Sequence, residues 1–134
     1  MPHGLERLDS EPVATLATVG ADGLPHLVPI TFAVVADTIV WAVDHKPKST
    51  TRLARIRNLD RDPRVAVLVS HYEEDWTGLW WVRAEGTCQM IDDPSETAAA
   101  LRALQAKYPV YRTRPPDGPF FVITVARMVE WAAS

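Results

Sequence analysis

Half of the lysines and arginines in this acidic chain lie in one short segment. Seven of the fourteen fall between positions 46 and 64, where two acidic residues oppose them, so the segment carries +5 within a chain of net charge −3. The seven are Lys46, Lys48, Arg52, Arg55, Arg57, Arg61 and Arg64. A local positive field on an acidic protein favours a single anionic ligand, whereas nucleic-acid-binding domains are typically basic throughout. The charge pattern therefore predicts an anion site and no nucleic-acid partner.

The same segment contains the expected start of a helix. Residues 48–51 read Lys-Ser-Thr-Thr and offer capping hydroxyls, so a helix is predicted from about Ser49 to Leu59. Helix N-termini carry unpaired N–H groups and the positive end of the helix dipole, which together bind phosphate. We expect the front half, Lys46 to Arg55, to hold the anion. Arg61 and Arg64 are expected to serve local structure or the outer surface.

Composition places the chain among single-domain globular proteins. Its 134 residues fit one domain, 1–134, and are 47% hydrophobic and 23% charged. No apolar run approaches the roughly twenty residues that span a bilayer, and the N-terminus lacks the basic and apolar blocks of a signal peptide. We therefore expect a cytoplasmic protein with no membrane partner.

The sequence contains no motif for catalysis by side chains alone. The six glycines form neither a dinucleotide-binding fingerprint nor a P-loop, and the four histidines include no helical pair that could bind zinc. Cys88 is the single cysteine and is expected to be a small buried hydrophobe. His26 and His45 could donate protons, but a surface position is the simpler interpretation. The chemistry is therefore expected from a bound cofactor, with no metal and no assigned catalytic residue.

Alternating apolar residues and turn signals predict a mainly β domain of α+β type. The Asp-Gly pair at 22–23 and the Ala-Asp pair at 36–37 predict tight turns, and Asp93 followed by Pro94 predicts the start of a second helix that reaches Tyr108. The predicted strands are Val13 to Val19, Pro25 to Val35, Thr38 to Val43, Arg64 to Ser70, Gly78 to Ile91 and Phe120 to about Val125 or as far as Trp131. Six strands with antiparallel connections and two short helices predict a closed or nearly closed barrel.

A series of segments along nearly the whole chain carries a resemblance to a known family. The segments are Leu16 to Val19, Asp22 to Pro29, Ala42 to Asp44, Lys46 to Lys48, Arg57 to Leu59, Asp62 to Val65, Asp75 to Thr87 and Lys107 to Pro116. They resemble the split-barrel flavoproteins related to pyridoxamine-phosphate oxidase, and more narrowly the actinobacterial branch assigned to the deazaflavin coenzyme F420. Relatives usually carry a helix before the first strand, whereas only about ten residues precede that strand here. Their N-terminal substrate and dimer contacts are therefore not carried over.

The resemblance implies a six-stranded antiparallel split β-barrel of the FMN-binding type. It also implies a homodimer with a cofactor in each of two clefts at the interface. The implied contacts of the cofactor ring are Val28, Pro29, Ile30 and Thr31, flanked by Trp41 and Ala42. The implied phosphate contacts are Lys46, Lys48, Ser49, Thr50 and Arg55. Trp80 and Trp81 are adjacent on a strand and must point to opposite faces, one expected at the subunit interface and the other in a cleft wall.

These expectations describe an F420-dependent oxidoreductase that transfers a hydride from reduced deazaflavin to a small organic acceptor. The protein would hold the cofactor against the substrate and exclude water. An FMN-binding oxidase or reductase on the same fold, and a non-catalytic carrier of F420, are the alternatives. Oxidation of pyridoxamine phosphate itself is not expected, because the chain is short for that reaction and no residues match that substrate.

Overall fold

The computed structural model describes residues 3–43 and 50–134, with the backbone alone at His3 and from Thr50 to Leu53. The predicted phosphate contacts Lys46, Lys48 and Ser49 lie outside the described residues. The strands are β1 (Ala14–Val19), β2 (Pro25–Ile30), β3 (Ala33–Val35), β4 (Thr38–Ala42), β5 (Arg64–His71), β6 (Trp80–Met90) and β7 (Phe120–Ala132). The helices are α1 (His3–Asp9), α2 (Thr50–Arg61), α3 (Pro94–Lys107) and α4 (Val110–Thr113).

All seven strands form one antiparallel sheet in the order β2-β1-β5-β6-β7-β4-β3. The strands at the two ends of this order, β2 and β3, are separated in the chain only by Thr31 and Phe32. Laid flat, six strand spacings would extend over about 29 Å, whereas two residues reach about 7 Å. The sheet therefore curls until its edges meet, which confirms the mainly β split barrel. We call Thr31 and Phe32 the seam.

The structure has seven strands where six were predicted, because the seam divides one predicted strand in two. A single strand was expected from Pro25 to Val35, but the strand breaks at the seam. There the hydroxyl of Tyr108 accepts a hydrogen bond from the backbone N–H of Phe32 at 3.0 Å and lies 2.9 Å from the Phe32 carbonyl oxygen. Because a side chain occupies both backbone groups, this residue takes no place in a strand ladder.

The N-terminal helix α1 is a second difference from the sequence-based expectation. Leu5 and Leu8 are 1% and 0% exposed and join the barrel core. A helix of seven residues is too short to be stable alone, so its packing against the barrel holds it. A short helix therefore lies within the roughly ten residues that precede the first strand.

The core has two parts. Inside the barrel, inward-facing residues of the strands pack around Trp41, Phe121 and Phe32. A smaller cluster on the outer side of β3 and β4 contains Leu104, Tyr111 and Phe120, where α3 and α4 cover the sheet. Strand β4 is therefore buried on both faces, with Val40 on one face and Trp41 on the other. None of the described helices has the length and apolar character that crossing a membrane requires.

Several local predictions are confirmed. The β1–β2 hairpin turns at Asp22 and Gly23, where Gly23 has φ +80° and the Asp22 carboxylate accepts from the N–H of Leu24 at 3.0 Å. Strands β3 and β4 turn at Ala36 and Asp37. Helix α3 begins at Pro94, and the Asp93 carboxylate caps it by accepting from the N–H of Ser95. These turns bring successive strands into register without long loops.

A β-bulge between Glu85 and Gly86 generates the first testable prediction. A Cβ atom on Gly86 would overlap the carbonyl oxygen of Thr124 on β7. We expect Gly86→Ala to lower the free energy of unfolding by about 1–3 kcal/mol. The backbone atoms of Thr124 cannot move aside as a flexible side chain can. Urea unfolding measures the change.

Gly23→Asn is the matched control for Gly86→Ala. A Cβ at position 23 would meet nothing within 4 Å, and asparagine tolerates the left-handed conformation. We expect this variant to change the free energy of unfolding by less than about 1 kcal/mol. Equal unfolding midpoints for Gly86→Ala and the wild type would contradict the close approach of β6 and β7.

Candidate functional site

The predicted ring contacts lie along β2 and the seam. Strand β2 stands at one end of the strand order and pairs with β1 alone. Ile30 is buried at 6% exposure and Val28 packs partly against the barrel core, whereas Pro29 points to the other face and is exposed. Thr31 is partly buried. Among the described strands, the second backbone edge of β2 has no partner, and the ring of Pro29 is exposed.

Trp41 and Ala42 end strand β4, and Trp41 has no exposed surface. Its indole ring stacks on Phe121 with 4.4 Å between ring centroids. The guanidinium carbon of Arg55 lies 5.6 Å from the centre of the same indole. Trp41 is therefore a buried platform beside Arg55, while Ala42 is partly exposed.

Two buried donor nitrogens lie at this platform. Nε of Arg55 has no hydrogen-bond partner within the described part of the chain, and Nε1 of Trp41 faces the weakly accepting thiol of Cys88. Desolvation lowers the pKa of Arg55, because burial disfavours its charged form. An unsatisfied buried donor destabilises a protein by about 1–3 kcal/mol. Two donors and a desolvated cation in one place fit an anionic or carbonyl-bearing ligand.

Cys88 lies next to the platform and is buried, as the sequence predicted. Burial raises the pKa of its thiol to about 12, and a hydrogen bond from the Trp41 indole to the thiol opposes this rise. The thiol is therefore protonated at neutral pH and is not a nucleophile. The described residues contain no group of three or more His, Cys, Asp or Glu side chains that could hold a metal ion.

Helix α2 carries the rest of the described basic segment away from the platform. Asn58 is buried and donates from Nδ2 to the Thr18 hydroxyl at 3.3 Å, which fixes the helix on β1. Arg61 donates to the Asn58 side chain, and Arg64 pairs with Asp62 at 2.6 Å. The two later arginines therefore serve local structure, as expected. Thr50 begins the helix.

The seam has two tyrosine contacts that the sequence did not indicate. The hydroxyl oxygens of Thr31 and Tyr111 are 2.7 Å apart. Tyr108 also donates toward the carbonyl oxygen of Pro12 at 2.7 Å. Both tyrosines stand about eighty positions beyond the seam, at the predicted end of the second helix and just after it, where the sequence predicted no site contact.

Trp80 and Trp81 point to opposite faces, as predicted. Trp80 packs partly against the barrel core and stacks on His71, with 5.5 Å between ring centroids. Trp81 pairs across the outer face with Trp131, and the Arg83 guanidinium lies over its ring at 5.6 Å. Their assignment to an interface and a cleft wall stays a prediction.

An open cleft of about 670 Å³ lies on the outer face of the sheet beside the bulge. It is lined by residues of β1, β2, β5, β6 and β7, among them Val19, Pro25, Gly86 and Arg127. None of the predicted cofactor contacts that the structure describes lines it. Its two arginines already have carboxylate partners, because Arg64 pairs with Asp62 and Arg127 lies 3.5 Å from Glu85. The cleft is thus separate from the Trp41–Arg55 platform.

Comparison with known proteins gives one family and several similar folds. The family profile described as pyridoxamine 5'-phosphate oxidase matches residues 2–132. A search of curated proteins gives no significant match. A conserved hypothetical protein from Mycobacterium tuberculosis is 23% identical with a TM-score of 0.78, and the alignment covers 99% of this chain and 86% of that one.

Two further similar structures are of proteins described as binding a ligand. An FAD-binding protein from Mesorhizobium loti is 21% identical with a TM-score of 0.69, and the alignment covers 93% of this chain and 87% of that one. A heme binding protein from Mycobacterium smegmatis is 22% identical with a TM-score of 0.71, covering 99% of this chain and 59% of that one. At these identities the likeness shows a shared fold.

His71 gives a prediction for the dependence of stability on pH. Nε2 of its ring lies 3.1 Å from the Glu73 carboxylate. Nδ1 lies 3.4 Å from the carboxylate of Glu11, two residues after the end of α1. The hydrogen bond with Glu73 raises the pKa of His71 above 6.5, desolvation opposes this rise and Glu11 adds to it. A histidine with a raised folded pKa stabilises the fold below its unfolded pKa and loses that effect as the pH rises through the folded pKa.

We therefore expect the stability difference between wild type and His71→Gln to shrink as the pH rises above about 6.5. Urea unfolding of both proteins across that range measures it. His26→Gln, at an exposed position on β2, is the control and should show a smaller pH dependence. A difference that stays constant with pH would contradict the carboxylate contacts.

Proposed function

The chain belongs to the pyridoxamine 5'-phosphate oxidase family, and on that premise we propose that it is an oxidoreductase that binds a flavin-type cofactor. The cofactor proposed first is reduced coenzyme F420, with a small organic molecule as hydride acceptor. The observation that carries the proposal is the pair of buried donors at the Trp41–Arg55 platform. The resemblance to the F420 branch supports the choice of cofactor.

Arg55 supports a phosphate-bearing ligand. The side chain is partly buried and forms no ion pair with the other described residues. A desolvated cation is unfavourable where no counter-ion stands beside it, and no described carboxylate pairs with Arg55, so a bound anion would remove that penalty. A phosphate suits this role, because a charge-assisted hydrogen bond to a guanidinium is short and strong. The start of α2 follows a basic stretch, and Lys46, Lys48, Ser49 and Thr50 stay proposed as further phosphate contacts.

The chain contributes binding, orientation and shielding. The cofactor supplies the hydride when bound. Val28 to Thr31 would lie along the ring, with Ala42 at its flank, and the curled sheet keeps water from one side of it. No protein side chain needs to form a covalent bond in this proposal.

A flavin nucleotide is the second candidate cofactor. Flavins also combine a planar ring with a phosphate, so the same donors would serve. The observation that favours it is the shared fold with a protein described as FAD-binding. FMN would make the chain an oxidase or a reductase. A carrier that binds F420 without turnover is the non-catalytic alternative.

The proposed assembly is a homodimer formed through the outer face of the sheet. Thr15 pairs with Leu68 on one side and Pro29 on the other, and Ala17 pairs in the same way with Ala66 and Leu27. These residues therefore share a face with Val13. Leu27, Leu68 and Val13 are 65%, 41% and 53% exposed. Clustered apolar residues on a sheet face are typical of a protein interface, and the open cleft continues this surface.

Arg55→Met tests the cofactor site, because affinity and stability should change in different directions. Removing a desolvated charge should preserve or raise the free energy of unfolding of the cofactor-free protein. It should weaken cofactor binding by about 1.5–3 kcal/mol, which is roughly tenfold or more. Quenching of tryptophan fluorescence on titration with F420, FMN, FAD and hemin measures the affinities.

Arg57→Met is the matched control, because Arg57 is exposed on the same helix. We expect it to bind F420 more nearly as the wild type does. Unchanged cofactor affinity in Arg55→Met would contradict the assignment of the cofactor site to the Trp41–Arg55 platform. Binding of FMN or FAD without F420 would favour the flavin candidate, and binding of hemin alone would overturn both. Anaerobic oxidation of reduced F420 by added acceptors separates an enzyme from a carrier.

Leu68→Arg tests the proposed interface. We expect light scattering after gel filtration to give a dimer for the wild type and a monomer for this variant, because an arginine pair would be buried at the contact. The exposed position of Leu68 in the single chain should leave monomer stability within about 0.5 kcal/mol. Val110→Arg, at an exposed position on α4, should remain dimeric. A monomeric wild type or a dimeric Leu68→Arg would argue against this face.

A further inference from the structure

Two prolines set the backbone pattern on the second edge of β2. Among the described strands, β2 pairs with β1 alone, and it contains Pro25 and Pro29. We propose that this edge binds the reduced form of the cofactor ring more tightly than the oxidised form, because the edge presents mainly hydrogen-bond acceptors. This inference rests on the proposed function, since it requires a ring along β2.

The turn before β2 shows which of its backbone groups face the second edge. The N–H of Gly20 donates to the carbonyl oxygen of Leu24 at 2.9 Å, so this pair is hydrogen-bonded. Hydrogen-bonded and non-hydrogen-bonded pairs alternate along antiparallel strands, so the next pair, Val19 with Pro25, is of the second kind. Every second residue of β2 therefore points its backbone groups away from β1. These residues are Pro25, Leu27 and Pro29.

The second edge of β2 is rich in acceptors. Each residue offers one backbone C=O and one N–H, except that proline has no N–H. Three carbonyl oxygens therefore face this edge, whereas Leu27 supplies the one N–H. Within the described part of the chain, no backbone N–H from outside β2 donates to these three carbonyls. The side chains of Leu27 and Pro29 are exposed, so a ligand can approach the edge.

A further β-strand is a poor occupant of this edge. An added strand forms a ladder in which each edge residue both donates and accepts. The two prolines remove two of the three donors, and proline on an edge strand is a common means of preventing strand addition. A ligand that brings its own N–H groups suits the edge better.

The oxidation state of the cofactor ring changes how many N–H groups it brings. Two-electron reduction of a flavin or a deazaflavin adds a hydride and a proton, and the proton turns a further ring nitrogen into an N–H donor. A backbone carbonyl attracts that N–H but repels the lone pair that the same nitrogen carries in the oxidised ring. A site with this preference binds the hydride donor and releases the oxidised cofactor, which agrees with the proposed reaction.

Pro29→Val tests the inference, because it restores an N–H to the edge at the predicted ring contacts. We expect the wild type to bind the reduced cofactor about three- to tenfold more tightly than the oxidised cofactor, which is the range for one hydrogen bond. In Pro29→Val the ratio of the two affinities should fall close to one. Loss of the proline ring weakens both forms alike and leaves the ratio unchanged. Anaerobic equilibrium dialysis with each form of F420, FMN and FAD measures the affinities.

Pro25→Val is the matched control, because it restores an N–H on the same edge outside the predicted ring contacts. Four residues of strand place it about 13 Å from Pro29. It should keep the wild-type ratio of affinities. Urea unfolding of the cofactor-free proteins reports whether each variant folds. If Pro29→Val does not fold, Pro29→Ala restores the same N–H and carries the test.

The outcomes separate this inference from the proposed function. A wild type that binds none of the three cofactors in either form overturns both together. A wild type that binds both forms of a cofactor equally, or a Pro29→Val that keeps the wild-type ratio, overturns the inference about the edge alone. If Pro29→Val instead forms larger assemblies on gel filtration and keeps the ratio, the prolines serve to prevent strand pairing, and the inference is again overturned.

Discussion

The architecture depends on one short connection. Strands β2 and β3 stand at opposite ends of the sheet, yet two residues join them, so the sheet has no option but to curl. The curl gives the sheet an inside, which the apolar residues around Trp41 fill. It also places the end of β4 across from the end of β2, which is the geometry that a ring-binding site between these strands requires.

The helices pack against different parts of the barrel and leave one face of the sheet uncovered. Helix α1 adds leucines to the core, α2 is fixed on β1 through Asn58, and α3 with α4 covers β3 and β4. In the described structure the outer face around Leu68 receives no such cover. Helices of the chain therefore cover one part of the sheet, whereas the outer face around Leu68 stays accessible to a second molecule. Arg55, on α2, is partly desolvated and lies over the Trp41 ring.

Local chemistry explains which parts of this structure the sequence predicted. Asp22-Gly23 and Asp93-Pro94 act over a few residues, so the hairpin and the start of α3 were predictable. The break at the seam was not, because no glycine follows Pro29 in the strand, and its cause is the hydroxyl of Tyr108, far along the chain. Helix α1 depends on burial of Leu5 and Leu8 in a barrel that forms from later residues. For the site, residue type and spacing indicated Arg55, but only the packed structure reveals that its Nε is buried with no acceptor among the described residues.

The barrel wall is held together more weakly at the seam than between β5 and β6. Strands β2 and β3 are not hydrogen-bonded neighbours, so this side of the wall is closed by the side chains of Tyr108 and Tyr111 rather than by a ladder of peptide groups. Parting it disrupts a few hydroxyl contacts of about 1 kcal/mol each, whereas parting β5 from β6 would break a continuous ladder of eight residue pairs. The barrel can therefore open along β2 more readily than along the β5–β6 ladder.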